Sequence, residues 1–133
     1  MIVVDSSVLV DFFRGKATAA VKRLRQVEKD EIPFYLPVIC CQELLQGAKD
    51  LREWRLLEAY LGSQRLLAPD DPWATHRGAA RIFFDCRRKG VTVRGSIDCL
   101  IAQLALEHDG TLLHDDDDFE KIRKVSGLRT LRG

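Results

Sequence analysis

The sequence predicts an α/β domain built on a mainly parallel sheet. Short apolar runs such as Ile2-Val3-Val4 and Thr111-Leu112-Leu113 show no polar alternation, as strands covered on both faces require. Stretches with helical apolar spacing separate these runs, the pattern of alternating strands and helices. The chain has 133 residues, 46% hydrophobic and 31% charged, enough to bury a core without staples. It contains no repeat, linker or low-complexity tract, so one domain over residues 1–133 is expected.

Residues 2–4 form the first strand. Asp5-Ser6-Ser7 is N-cap material for a short helix over 8–13 that ends near Gly15. Residues 18–29 read as a helix with Val21, Leu24 and Val27 on one face. Residues 32–36 are a second strand, and Pro37 opens a helix that runs to about Ala48. A helix over 51–61 carries Trp54, Leu57 and Leu61 on one stripe. Residues 66–68 read as a strand, 69–72 as a loop, and 73–89 as a helix closed by Gly90. Ser96 is expected to cap a helix over 97–108, with Ile97, Leu100, Ile101, Leu104 and Ala105 as its apolar face. Asp109-Gly110 turns the chain into the strand at 111–113. A short helix over 117–124 and a last strand over 128–131 complete the chain.

Lys and Arg total 21 and Asp and Glu total 20, a formal charge of +1. That balance argues against polyanion binding by bulk charge, while leaving room for a local basic groove. No apolar run approaches the roughly 20 residues of a membrane helix. The first residues lack the basic and apolar regions of a signal peptide, so no membrane partner and a cytoplasmic location are expected. Cys40, Cys41, Cys86 and Cys99 lie in apolar helical patterns without zinc-site spacing, and read as reduced, packed thiols.

Ligands of an open parallel sheet bind beyond the carboxyl ends of its strands. Asp5 follows the first strand there, and His114-Asp115-Asp116-Asp117-Asp118 follow the strand at 111–113. Asp98 lies in the first turn of its helix, and Glu43 in the helix after the second strand. Each has a plain structural alternative. Asp98 can complement a helix N-terminus, Asp5 can be a cap, Glu43 a solvated helix charge, and the aspartate run a cap and a wet turn. Taken jointly, carboxylates converging at one edge repel unless a cation lies between them. Hard oxygen donors suit Mg²⁺ or Mn²⁺, ions that bind phosphates and activate water. A divalent-metal phosphoester enzyme is therefore favoured over a purely structural acid cluster.

Four segments resemble, in order and spacing, the acidic motifs of PIN-domain nucleases. They are Val3-Val4-Asp5-Ser6-Ser7-Val8-Leu9-Val10, Cys41-Gln42-Glu43-Leu44-Leu45-Gln46-Gly47, Ser96-Ile97-Asp98-Cys99-Leu100-Ile101-Ala102 and Leu112-Leu113-His114-Asp115-Asp116-Asp117-Asp118-Phe119. The short chain and the Arg88-Lys89-Gly90 approach to Asp98 look most like VapC toxins of toxin–antitoxin pairs. The resemblance implies a three-layer α/β/α fold and a Mg²⁺- or Mn²⁺-dependent endoribonuclease. Asp5, Glu43, Asp98 and Asp116 match the family's four acidic positions, and Asp118, before Phe119, a further one. Ser6 or Ser7 matches the hydroxyl after the first Asp. The family pattern varies at the positions of Asp115 and Asp117, which selects Asp116. The resemblance also implies a homodimer and a small antitoxin whose tail lies over the acidic groove.

RNA beside an acidic edge needs cations. Arg14, Lys16, Arg87, Arg88, Lys89 and Arg94 are candidates, with Arg94, close before Asp98, and Arg14 preferred. His76, His108 and His114 read as structural or surface groups, although His114 adjoins the acidic run. Trp54, Trp73, Phe83 and Phe84 read as core or subunit contacts rather than base-stacking platforms. Three other readings compete. A receiver-like module needs a Lys after Leu113, and a dehalogenase-type phosphatase needs Asp-x-Asp where Asp5-Ser6-Ser7 stands. A catalytically inactive PIN-like binding module is the alternative against which the four filled acidic positions argue.

Overall fold

The computed structural model describes residues 1–133 and joins five strands in one sheet: β1 (Ile2–Val4), β2 (Phe34–Pro37), β3 (Arg65–Leu67), β4 (Thr111–Leu113) and β5 (Arg129–Leu131). Their spatial order is β3-β2-β1-β4-β5, and every pairing is parallel. Seven helices cover the sheet: α1 (Ser6–Phe13), α2 (Ala19–Lys29), α3 (Val38–Gln46), α4 (Leu51–Gly62), α5 (Pro72–Arg88), α6 (Ser96–Glu107) and α7 (Asp117–Val125).

Successive residues of a strand face opposite sides, so the apolar run of β1 must be covered twice. Val3 points into a cluster with Ile82, Cys86, Cys99, Ala102 and Phe119 from α5, α6 and α7. Val4 points into a second cluster with Val8, Leu9, Val21, Leu24 and Leu57 from α1, α2 and α4. The result is the expected α/β/α three-layer domain. All four cysteines are free and buried, as their apolar settings require. No helix is long and apolar enough to cross a membrane.

The chain order creates the crevice. From β1 the chain steps outward through β2 to β3, then crosses back to β4 on the other side of β1. The direction of travel reverses between β1 and β4, and a crevice opens at their carboxyl ends. The close pairing of these strands also needs Gly110, where a Cβ would meet Val3 Cγ2 at 2.8 Å.

Several local expectations are corrected. Gly95, extended at φ −156°, is the N-cap of α6, and Ser96 is its first helical residue with no capping bond. Ile97 is 41% exposed, and the buried set of α6 is Cys99, Ile101, Ala102, Leu104 and Ala105. Ile97 lines an open cleft beside Ala79, Ala80 and Phe83 of α5 instead of closing into the core. Pro37 closes β2, pairing with Leu67, and serves as the N-cap of α3 without a side-chain bond. The core reading fails for Trp54, Trp73 and Phe84, which are exposed, Trp73 by 72%. Leu57 and Leu61 bury that stripe of α4, and Ala79, Ile82 and Cys86 that of α5. Phe83 alone of the four aromatics packs partly against the core.

Candidate active site

Asp5 is the first residue past β1, and its amide donates to the Leu113 carbonyl at 3.0 Å, extending the β1–β4 ladder by one step. The next residue begins α1, so Asp5 is also its N-cap. Its Oδ2 accepts the Ser7 amide at 2.9 Å and the Ser7 hydroxyl at 2.6 Å, while Cys40 Sγ lies 3.7 Å from Oδ1. The cap and the site are the same carboxylate. Burial raises its pKa and the Ser7 hydrogen bonds pull it back.

The two hydroxyls after Asp5 have separate tasks. Ser7 Oγ, while donating to Asp5, accepts the Asp115 amide at 3.0 Å and so ties α1 to the loop after β4. Ser6 Oγ donates to Glu43 Oε1 at 3.1 Å and turns that side chain of α3 toward the crevice. Burial raises the Glu43 pKa; the Ser6 bond opposes this and the charge of Asp5 adds to it.

Asp98 enters from the first turn of α6. Burial, and then the charges of Asp5, Asp116, Asp118 and Glu43, push its carboxyl up to about 7. Asp116 is the N-cap of α7, and its Oδ1 accepts the Asp118 amide at 3.0 Å. Asp118 is buried. Its Oδ2 accepts the Arg94 amide at 3.0 Å and Nε at 3.2 Å, and its Oδ1 lies 3.4 Å from Lys121 Nζ. Burial opposes its ionisation, but Arg94 and Lys121 outweigh burial and hold its carboxyl below the usual range. Carboxylate oxygens of Asp98, Asp116 and Asp118 lie within 4.8 Å of one another.

The aspartate run therefore alternates. Asp116 and Asp118 face inward, whereas Asp115 and Asp117 turn to Arg132, at 3.1 and 2.7 Å. The sequence did not single out Arg132. Its signal is the parallel register that pairs Leu113 with Leu131, which sets the next residue beside the start of the run. His114, read as structural, contacts the run directly through its ring.

The candidate cations part company. Arg94 lies at the mouth, its Nη2 donating to Asp116 Oδ1 at 2.9 Å, with its side chain 75% exposed. Arg14 lines a neighbouring groove of about 600 Å³ with Phe13, Leu56 and Leu57, and only Glu43 is common to both clefts. The acidic cleft itself has a volume of about 440 Å³ and is lined by Glu43, Arg94, Ser96, Ile97, Asp98 and Asp116, among others. The neighbouring groove is the larger, but half of its lining is apolar, and of the converging carboxylates it shares only Glu43.

Carboxylates outnumber the adjacent cations, and Asp98 cannot ionise normally among them. The donors are all hard oxygens. Both facts fit a small divalent cation, which would be held by Asp98, Asp116 and Asp118 with Asp5 and Glu43 at its flank.

Residues 2–125 match the family model described as PIN domain. The chain is 36% identical over 132 residues to VapC ribonuclease Mb1587 of Mycobacterium bovis, covering 97% of this chain and 96% of the relative. The same figures hold for Ribonuclease VapC11 of Mycobacterium tuberculosis. Among solved structures, VapBC2 from Rickettsia felis bound to a promoter DNA fragment superposes with a TM-score of 0.76 at 16% identity, covering 98% of both chains. DNA-bound VapBC from Salmonella typhimurium superposes with a TM-score of 0.74 at 17% identity, covering 98% of this chain and 96% of that one. At such identities these two comparisons speak for the fold.

Proposed function

The chain belongs to the PIN-domain family, on the branch of the VapC proteins, and from that premise we propose that it is a Mg²⁺- or Mn²⁺-dependent endoribonuclease, a VapC-like toxin neutralised by a cognate antitoxin. One observation carries the reading: carboxylates from the end of β1, from α3 and α6 and from the start of α7 converge at one crevice with too few cations to balance them. The names of the curated relatives support RNA as the substrate, and the VapBC structures support an antitoxin partner.

Asp98, Asp116 and Asp118 would hold the ion, with Asp5 and Glu43 completing the anionic wall. When bound, such an ion supplies Lewis acidity to a phosphodiester and makes a nearby water more acidic. Ser7 holds Asp5 and Ser6 holds Glu43 in position before substrate arrives. Arg94 stands where it can exchange its aspartate partners for an RNA phosphate, a contact that positions without reading sequence. Arg14 extends the basic track along the neighbouring groove. We further infer a single domain over 1–133, a homodimer and a cytoplasmic location.

Labelled RNA incubated with the purified protein tests the reading. Cleavage is expected with Mg²⁺ or Mn²⁺, none with EDTA, and none from folded Asp98→Asn. Undiminished cleavage in EDTA would refute metal dependence. A protein that cuts no RNA under any condition would favour the inactive binding module.

A further inference from the structure

His114 is the first residue after β4, and its side chain is fully buried, with the ring centroid 5.2 Å from that of Phe119. Both ring nitrogens are engaged. Nδ1 accepts the Asp116 amide at 3.1 Å, and Nε2 lies 2.7 Å from Glu120 Oε2. A ring nitrogen that accepts an N–H carries no proton, so this neutral imidazole is protonated at Nε2 and donates to Glu120. Glu120 is itself fixed. Burial opposes its ionisation, yet hydrogen bonds from Thr130, His114 and Arg123 hold its carboxyl below the usual range.

Asp116 needs such a prop. It stands between β4 and α7 in extended backbone, φ −140° and ψ 125°, where its N–H meets no strand or helix carbonyl. Side chains stand in for the missing ladder. Ser7 Oγ takes the amide of Asp115, His114 Nδ1 that of Asp116, and Asp116 Oδ1 that of Asp118. A rotation of the Asp116 backbone would swing its carboxylate away from Asp98 and Asp118. It would also leave a partly buried N–H unpaired, which is costly.

We propose that His114 is a positioning residue for the metal centre: its Nδ1 fixes the Asp116 backbone and thereby aims the Asp116 carboxylate at the site. Glu120, from the far side of the ring, fixes the tautomer that makes Nδ1 an acceptor. Partners of this kind, one step removed from an ion, commonly change metal affinity about 10- to 100-fold when removed. The inference rests on the metal-dependent reading above.

Two substitutions divide the two ends of the ring. His114→Asn offers an amide oxygen near the place of Nδ1 and loses the reach to Glu120. His114→Gln offers an amide N–H near the place of Nε2 and loses the acceptor for Asp116. Mn²⁺ affinity is read from the EPR signal of free Mn²⁺, with melting in EDTA recorded alongside. The expected result is a ~10- to 100-fold loss of affinity in His114→Gln and a loss of no more than about threefold in His114→Asn. Wild-type affinity in His114→Gln, or equal losses in both, would overturn the proposal. A wild-type protein that binds no Mn²⁺ would instead overturn the metal reading beneath it. Should a variant fail to fold, the wild type decides. Long-range ¹⁵N–¹H correlation is expected to show the His114 proton on Nε2 and slow exchange of the Asp116 amide. A proton on Nδ1 would overturn the assignment.

Discussion

Asp98→Asn removes one charge from the crowded edge at almost constant size, and it is expected to stabilise the metal-free protein. The Asp98 carboxyl is pushed up to about 7, against an ordinary aspartate value near ~4. The folded state thus holds the proton more tightly than the unfolded chain does. Stability falls as pH rises from ~4 to ~7, and the whole penalty is present above the folded pKa. A rise of about three pH units would cost about 4 kcal/mol if it acted in full. The side chain is partly exposed to water, and screening reduces this to about 1–2 kcal/mol. Against it stands the favourable charge in the first turn of α6, worth about 0.3–1 kcal/mol. The net gain for Asn in EDTA at pH 8 is about 1 kcal/mol, or roughly 3–5 °C in melting temperature for a domain of this size. At pH 5 the carboxyl is already largely neutral, so the gain shrinks toward zero. Added Mn²⁺ is expected to raise the wild-type melting temperature more than that of the variant. Thermal melts in EDTA at pH 5 and pH 8 decide the matter. A variant that melts well below wild type at pH 8, or a gap that ignores pH, would show that Asp98 serves its helix and not the cluster.

The remaining expectations concern the same crevice. Asp5→Asn, Glu43→Gln and Asp116→Asn are each expected to lower RNA cleavage by orders of magnitude with the fold retained by circular dichroism; full activity in any one removes that residue from the set. Asp115→Asn and Asp117→Asn, which lose only contacts to Arg132, are expected to stay within a few-fold of wild type in the same assay. Ser7→Ala deprives Asp5 of a donor and the Asp115 amide of its acceptor; denaturant unfolding is expected to show a loss of about 1–3 kcal/mol. Arg94→Ala is expected to raise KM for RNA and flatten its salt dependence, with less change in kcat; an unchanged salt slope would exclude a phosphate contact.

Much of this site was visible before the structure because it depends on strand ends. β1 and β4 are central and covered twice, so their apolar runs stand out, and the carboxylates after them must share an edge. Asp5 and the aspartate run after β4 follow directly from that, while the choice of Asp116 within the run rests on the family resemblance. The network behind them does not. Arg132 reaches Asp115 and Asp117 only because β5 pairs with β4 in one register, a long-range property that local spacing does not encode. The contact of His114 with the Asp116 amide is hidden for a related reason, since it forms across a turn whose geometry local spacing does not encode. Ile97 and Trp73 misled in the opposite direction. Helical spacing says which residues share a stripe, but not where along the helix the neighbouring layer stops.

The pairing of β1 with β4 also sets when the acidic crevice can first assemble during synthesis. Ile2 has Thr111 as its partner, and the Asp5 amide has Leu113. On the ribosome, roughly a hundred residues separate the emergence of these two strands, about 5–20 s at ordinary elongation rates. Until then Asp5, Glu43 and Asp98 have been made, but Asp116 and Asp118, which follow β4, have not. A chain stalled or cut short before β4 lacks Asp116 and Asp118, two of the three carboxylates that lie within 4.8 Å of one another. The crevice therefore closes only after β4 has emerged, late in the synthesis of the chain.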